Sequence, residues 1–445
     1  MSQAFDIAAQ QDAITRQAEL ALAHARQCGA TACELSAAIS QGTDINVRMG
    51  QVDTLELARD QGFGITVYVG QRKGNASTSD ASERSIRETV EKAVDIARFT
   101  GEDSMAGLAD PDLMATSLPN LDVHHPWALS VEEAIDMATR CEQAGLDVEG
   151  ISNSEGASLA TGEGVSLYAN SHGFLGVQRG SRHSLSCVLI ARDDNGMQRD
   201  YDFSSSRHPF LLRAPEDIGH RAAERVLSRL GAKRAPSGTF PVVFAPEVAS
   251  GLVGHFLNSI AGGALYREAS FLCDALGDRL FPDWFSLGER PQLPGESSSA
   301  AFDGDGVFTR DNDFIRDGHL ASYMLSAYSA RRLNLVTTGN AGGARNVRID
   351  APLTEYSSLI SGIDKGVIVT ELMGQGINTV TGDYSRGASG FLVENGQITG
   401  PIEEFTIAGN LRGMFSALTA LGDDVDTRGS IHTGSWLIDG MTVAG

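Results

Sequence analysis

Few side chains in this sequence can hold a metal or move a proton together with a neighbour. The five cysteines, Cys28, Cys33, Cys141, Cys187 and Cys273, form no Cys-x-x-Cys pair, and an odd, scattered set suits reduced thiols better than a disulfide framework. No Gly-x-x-x-x-Gly-Lys-[Ser/Thr] run occurs, which excludes P-loop phosphate cradling. No Gly-x-Ser-x-Gly places a serine on a nucleophile elbow. Gly339-Asn-Ala-Gly-Gly343 reads as a loop. Of the ten histidines, His124 and His125 precede Pro126 and His172 adjoins Gly173, so these three read as exposed loop polarity. His255 lies in the apolar segment 247–260, where it is expected to pack along a helix face with Leu252 and Phe256. Metal chemistry native to this chain would need His255 to meet His319 or His432 and an acid such as Asp383.

The composition narrows the partners. A formal charge of −22 over 445 residues makes nucleic acid a poor ligand, because phosphate binding needs a positive surface that releases counterions. Lysine occurs only at 73, 92, 233 and 365, so lysine-rich anion patches are missing as well. Apolar residues at 42% and charged residues at 21% fit globular domains and not disorder. No apolar run approaches the roughly 18 residues of a membrane span, and the first residues lack the basic and apolar regions of a secretory signal. The expected compartment is the cytoplasm.

The elements that must position any site follow from periodicity. Apolar residues from Ala8 to Arg26 recur at helical spacing. Short β-type runs then follow at 34–38, 44–49, 53–58, 64–69 and 74–77, separated by glycine-containing turns, before a second helix over 82–99. Residues 101–129, with three prolines and little periodicity, read as a linker or surface excursion. Ser130 and Glu133 form a capping-box signature for a helix over 131–145. Strands are expected at 152–159, 164–170, 174–189 and 197–204, with turns at 171–173 and 193–196, and then a helix over 214–230. Two successive units of helix, antiparallel strands and helix suggest a duplication. After the linker-like stretch 231–238 come a strand over 240–245, a helix over 247–260 and many glycine-bounded β runs. Among these, Asn395-Gly396 predicts a tight hairpin turn. The expected class is α+β: an N-terminal unit (1–100), the linker (101–129), a central unit (130–232), and a largely β, barrel-like or mixed-sheet C-terminal domain (236–445).

With these elements in order, a family resemblance becomes readable. Segments 62–68 (Gly-Phe-Gly-Ile-Thr-Val-Tyr), 170–173 (Asn-Ser-His-Gly), 182–186, 326–331, 369–376 (Val-Thr-Glu-Leu-Met-Gly-Gln-Gly) and 381–387 (Thr-Gly-Asp-Tyr-Ser-Arg-Gly) together resemble the PmbA branch of the TldD/PmbA metallopeptidase family along essentially the full chain. In the TldD branch, the helix matching 247–260 carries His-Glu-x-x-x-His, with two imidazoles on zinc, the Glu as general base, and a Cys of the C-terminal domain completing the site. If His255 stands at the first ligand, the base and second ligand are Phe256 and Ile260. One register earlier, the three positions are Gly254, His255 and Ser259. Neither set can grip a divalent cation, and no cysteine follows Cys273.

The resemblance therefore implies a non-catalytic subunit with no cofactor of its own. A TldD-like partner would supply zinc and base in a heterodimer, acting on unfolded or extended peptides in peptide maturation and antitoxin turnover. An isologous homodimer is the expectation for the chain alone. Two other readings stand beside this one: a metallopeptidase with a non-standard metal site, and a homodimeric binding or scaffold protein. Glu371, Tyr384 and Arg386, polar residues of the glycine-rich motifs, are the candidate peptide or interface contacts.

Overall fold

The computed structural model describes residues 5–194 and 196–445. Its N-terminal half repeats one pattern twice. The first copy is α1 (Ile7–Gln27), β1 (Ala32–Arg48), β2 (Gln51–Val69), β3 (Arg72–Thr78) and α2 (Glu83–Phe99). The second is α3 (Val131–Leu146), β4 (Ile151–Asn170), β5 (Leu175–Asp193), β6 (Gly196–Ser206) and α4 (Pro215–Ser228). All six strands form one antiparallel sheet in the order β3-β2-β1-β4-β5-β6, so the two copies meet at a β1–β4 seam with quasi-two-fold order. Ser130 and Glu133 make the expected reciprocal capping box on α3. The expected turn at 193–196 includes residue 195, which lies outside the described residues.

The runs anticipated at 34–38 and 44–49 are one strand, as are 53–58 with 64–69 and 152–159 with 164–170. The glycines read as turns are rungs of the seam instead: Gly42 faces Gly162, and a Cβ on Gly42 would stand 3.2 Å from the Thr161 carbonyl oxygen. Here glycine permits close backbone approach and does not reverse the chain. Alternation along β1 turns Cys33, Leu35, Ala37 and Ile39 toward α1 and α2, where they are buried with Ile14, Ala18, Ile86 and Val90. Ile45 and Val47, farther along the same strand, join the core under α3 and α4.

Beyond the turn at Met49 and Gly50, β2 outruns its outer neighbour, since β3 pairs with it only from Phe63 onward. Residues 51–62 therefore have no strand partner on that side among the described residues. This arm exposes Val52, Leu55 and Leu57, the last at 61%.

Residues 101–129 hold little regular structure beyond a short 3-10 turn at Pro111–Leu113, yet they are packed. Leu108, Ala109, Met114, Leu121 and Val123 are buried, several of them in a cluster with Phe174, Phe302 and Val307. The Arg331 guanidinium donates to the carbonyls of Met105 (2.8 Å), Gly107 (2.7 Å) and Leu108 (3.0 Å), and the Tyr328 hydroxyl donates to Asp103 at 2.7 Å. The segment is a strap binding the lobes. Arg331→Ala should cost about 2 kcal/mol, the scale of hydrogen bonds from a charged donor. Urea unfolding would read this as a lower midpoint at unchanged slope.

In the C-terminal half, β7 (Gly238–Phe244), β8 (Lys365–Met373), β9 (Asp383–Glu394), β10 (Gln397–Asn410) and β11 (Trp436–Ala444) close into a five-stranded barrel. Its β7–β8 pair is parallel, and β11 completes the ring by pairing with both β7 and β10. Asn395 and Gly396 turn β9 into β10 with φ of 51° and 74°, the positive values a type I′ hairpin requires. Helix α5 (Pro246–Ser259) follows β7. It is held by an aromatic core in which Phe281 stacks on Phe285 and Phe415 at centroid distances of 4.4 and 4.7 Å and meets Phe256 edge-on at 5.7 Å. No helix among the described residues is long and apolar enough to cross a membrane.

Candidate functional site

Helix α5 carries the residues whose types matter most. Phe256, Ser259 and Ile260 are buried. Phe256 belongs to the aromatic core, and the Ser259 hydroxyl is spent on the His255 carbonyl at 2.8 Å. The register that begins a zinc motif at His255 therefore sends its base and second-ligand positions into an apolar interior. In the other register Gly254 looks onto open space, with nothing within 4 Å of where a Cβ would stand, but Ser259 does not.

His255 itself is half-buried. Its ring meets Tyr384 of β9 edge-on at a centroid distance of 6.2 Å. Burial, and after it the positive charge of Arg386, hold the imidazole below its ordinary pKa. Tyr384 and Arg386 stand two residues apart on β9 and so share a face of the strand. Tyr384 is 1% exposed; burial pushes its phenol up, partly offset by Arg386. Neither the Tyr384 hydroxyl nor the Arg386 Nε has a hydrogen-bond partner, although both atoms are buried.

The structure thus brings His255, Tyr384 and Arg386 together and commits Glu371 elsewhere. Glu371 pairs with Arg229, just past α4, and accepts from the Ser389 hydroxyl at 3.1 Å. It belongs to a charged seam between α4 and the C-terminal half that also holds Arg225, which pairs with Asp200 and Glu247.

The alternative metal set is dispersed. His319 bonds the Asp317 carbonyl at 2.7 Å, His432 the Gly429 carbonyl at 3.1 Å, and exposed Asp383 is held by Thr381 and Asn410. A phenol and a guanidinium beside one imidazole do not fit a divalent zinc ion, which wants thiolate, imidazole or carboxylate and is repelled by a fixed cation. Among the described residues, the three ligand-type side chains that do approach one another are His24, Cys28 and Glu91. They bridge α1 and α2 on the outer surface, and only the His-x-x-x-Cys spacing signals them in the sequence. His124 and His125, read as exposed, are half-buried, and His124 pairs with Glu163 at 3.0 Å.

If Arg386 depresses the His255 titration, Arg386→Gln should raise it. Imidazole NMR titration would show the His255 midpoint moving upward. Because the folded state disfavours protonated His255, stability should also fall as pH drops through the free-histidine value of about 6.5, and less so in the variant.

Comparison with known proteins gives a consistent picture. Residues 237–445 match the PmbA/TldA metallopeptidase C-terminal domain, residues 124–230 its central domain and residues 33–97 its domain 1. The chain is 44% identical to "Metalloprotease PmbA" of Escherichia coli O157:H7 over 96% of its own length and 94% of that protein. It is 42% identical to a "Metalloprotease PmbA homolog" of Haemophilus influenzae, with 98% and 97% covered. Among solved structures, a Bacteroides thetaiotaomicron protein described as a candidate DNA gyrase modulator superposes with a TM-score of 0.92 at 28% identity, covering 97% of this chain and 98% of that one. TldE from Thermococcus kodakarensis shares the fold, with a TM-score of 0.81 at 20% identity and 96% and 100% covered.

Proposed function

Since the chain belongs to the PmbA branch of the PmbA/TldD metallopeptidase family, we propose that it is the non-catalytic subunit of a heteromeric zinc peptidase whose TldD-like subunit holds the metal and the base. One observation carries this reading. On α5, where the catalytic branch places its zinc ligands, this chain offers a single imidazole with a guanidinium beside it. An imidazole held neutral can accept a proton, but its neighbours, a phenol and a guanidinium, offer no thiolate, second imidazole or carboxylate to hold a water-activating zinc. The family's peptidase activity, the TldD-type relatives and the strand edges for main-chain pairing support unfolded or extended peptides as substrates.

The free edge of β2 over 51–62, with Val52, Leu55 and Leu57 exposed, is the surface we assign to the partner subunit, since an unpaired edge of this length is an association hazard unless covered. Leu55→Lys with Leu57→Lys should weaken heterodimer formation at least about tenfold, roughly the loss of one well-buried apolar contact, without lowering the melting temperature of the isolated chain. Analytical ultracentrifugation with the TldD-like chain measures it.

The decisive test is expression with and without a TldD-like chain from the same cell, followed by mass measurement, metal analysis and a peptide-cleavage assay. The expected result is chelator-sensitive cleavage only in the mixed complex. Stoichiometric zinc in the isolated chain, with proteolysis that a chelator abolishes, would overturn the proposal.

A further inference from the structure

We infer that Arg386, Tyr384 and His255 form a receptor for a carboxylate, the free C-terminus of a bound peptide, on the face of α5 where the catalytic branch binds its metal. The inference rests on the peptide-handling role above and adds what this subunit does with the peptide.

The argument starts from unmet hydrogen-bonding capacity. A buried polar atom without a partner is costly, and in native proteins it usually marks a missing water, ion or ligand. Two such atoms occur two residues apart on one strand, the Tyr384 hydroxyl and the Arg386 Nε. No carboxylate among the described residues forms an ion pair with Arg386, whereas the neighbouring Arg225, Arg229 and Arg428 are each paired at least twice. Arg207, Arg331 and Arg345 also lack a carboxylate but spend their donors on backbone carbonyls, whereas the buried Nε of Arg386 has no partner among the described residues. Its field reaches both the His255 and the Tyr384 rings.

A guanidinium and a phenolic hydroxyl can both donate, and so can an imidazole through one ring nitrogen. Donors beside a guanidinium select an anion, and the planar fork of arginine suits a carboxylate. The surroundings favour a peptide over an inorganic ion. Met373 at the end of β8 and Val380 in the loop that follows are exposed, and Met373 lies opposite Gly387 in the β8–β9 pairing, so apolar surface for a terminal side chain adjoins the charge. Gly376 packs so closely on the Ser385 carbonyl that a Cβ would overlap it, which fixes the loop backbone against β9.

The test uses the full chain and an extended peptide in two forms, one ending in a free carboxylate and one in an amide. Calorimetry should show the acid form bound about ten- to a hundredfold more tightly, the discrimination expected when a site built to pair with a group meets an analogue lacking it. Arg386→Gln should erase the difference, chiefly by weakening binding of the acid form. Tyr384→Phe should reduce the difference and raise the melting temperature, because it removes an orphaned hydroxyl; a merely structural tyrosine would lose stability instead. Acetate should compete with the acid peptide and raise the His255 midpoint seen by NMR, and inorganic phosphate competing better than acetate would overturn the peptide terminus as the ligand. Equal binding of acid and amide forms, or no binding of either with His255 unmoved by acetate, would overturn the receptor. A mixed complex that cleaves both forms with the same KM would leave the partner role standing and remove the receptor. Acid-over-amide preference in an isolated chain that never joins a TldD-like subunit would do the reverse.

Discussion

Arg428→Met is expected to cost the fold about 3 kcal/mol, the lower end of the penalty for removing one partner from a buried charge cluster, since only Asp202 of its members is fully buried. Arg428 donates to Asp202 at 3.0 Å, to Glu247 at 2.9 Å and twice to Asp426 at 2.8 and 2.9 Å, with its guanidinium 4.4 Å from the Phe203 ring centroid. Asp202 lies on β6, Glu247 on α5 and Asp426 in the loop before β11, so a single side chain ties the N-terminal sheet to the helix of the candidate site. Methionine fills the space but leaves Asp426 without its cation. Burial alone would raise the Asp426 pKa, and the bonds from Arg428 more than reverse this. A carboxyl whose folded pKa lies below its unfolded value contributes stability above the unfolded value, about 3.9, and loses it as pH falls through the folded one. The gap between wild type and variant should therefore be widest near neutral pH and shrink toward pH 3. Urea unfolding across that range checks both size and sign.

Gly390→Ala should be at least as damaging as ordinary core overpacking, about 3 kcal/mol, because the new methyl has nowhere to go. Its Cβ would lie 1.8 Å from the Ile368 carbonyl oxygen and 3.1 Å from the Val369 Cα, and backbone cannot yield as a flexible side chain would. Gly390 is also the residue at which pairing resumes after an irregularity on the β10 side, and it adjoins another on the β8 side. Relieving the clash would shift the register of the strand bearing Tyr384 and Arg386. The expected outcome is loss of the folded chain at 37 °C, or a survivor that has lost the edge-on contact between His255 and Tyr384. Circular dichroism melts and the NMR environment of His255 distinguish these from a silent substitution.

The helices were legible in the sequence because amphipathic periodicity and capping residues are local signals: Ser130 with Glu133, and the apolar spacing of Ile86, Val90 and Val94, needed no knowledge of the rest of the chain. The α+β class and the repeated unit were legible for the same reason. Strand lengths were not. Gly42 and Gly162 look like turn residues until each is seen as the reason the other's backbone can come close, a property of the pair and of neither residue alone. The strap at 101–129 was hidden similarly, since its bonds come from Arg331 and Tyr328, more than two hundred residues away. At the candidate site, the residue types along α5, one imidazole with Phe256, Ser259 and Ile260 around it, could be read from the sequence alone, and so could the polar character of Tyr384 and Arg386. That Glu371 is drawn off by Arg229 while Arg386 stays unpaired depends on which loop the fold sets beside which helix, and no spacing rule encodes it.

The seam between β1 and β4 runs from the Glu34–Asn170 rung to the Val47–Ala157 rung, and each helix pair takes apolar residues from the other copy's first strand. Whatever its history, this half of the molecule cannot be cut at residue 130 into two self-sufficient pieces. Each piece would carry an open ladder and part of a core that belongs to its sibling. Ribosomal synthesis must finish the second copy before the first has anything to close against, so nascent chains should stay protease-sensitive until about residue 230 has emerged.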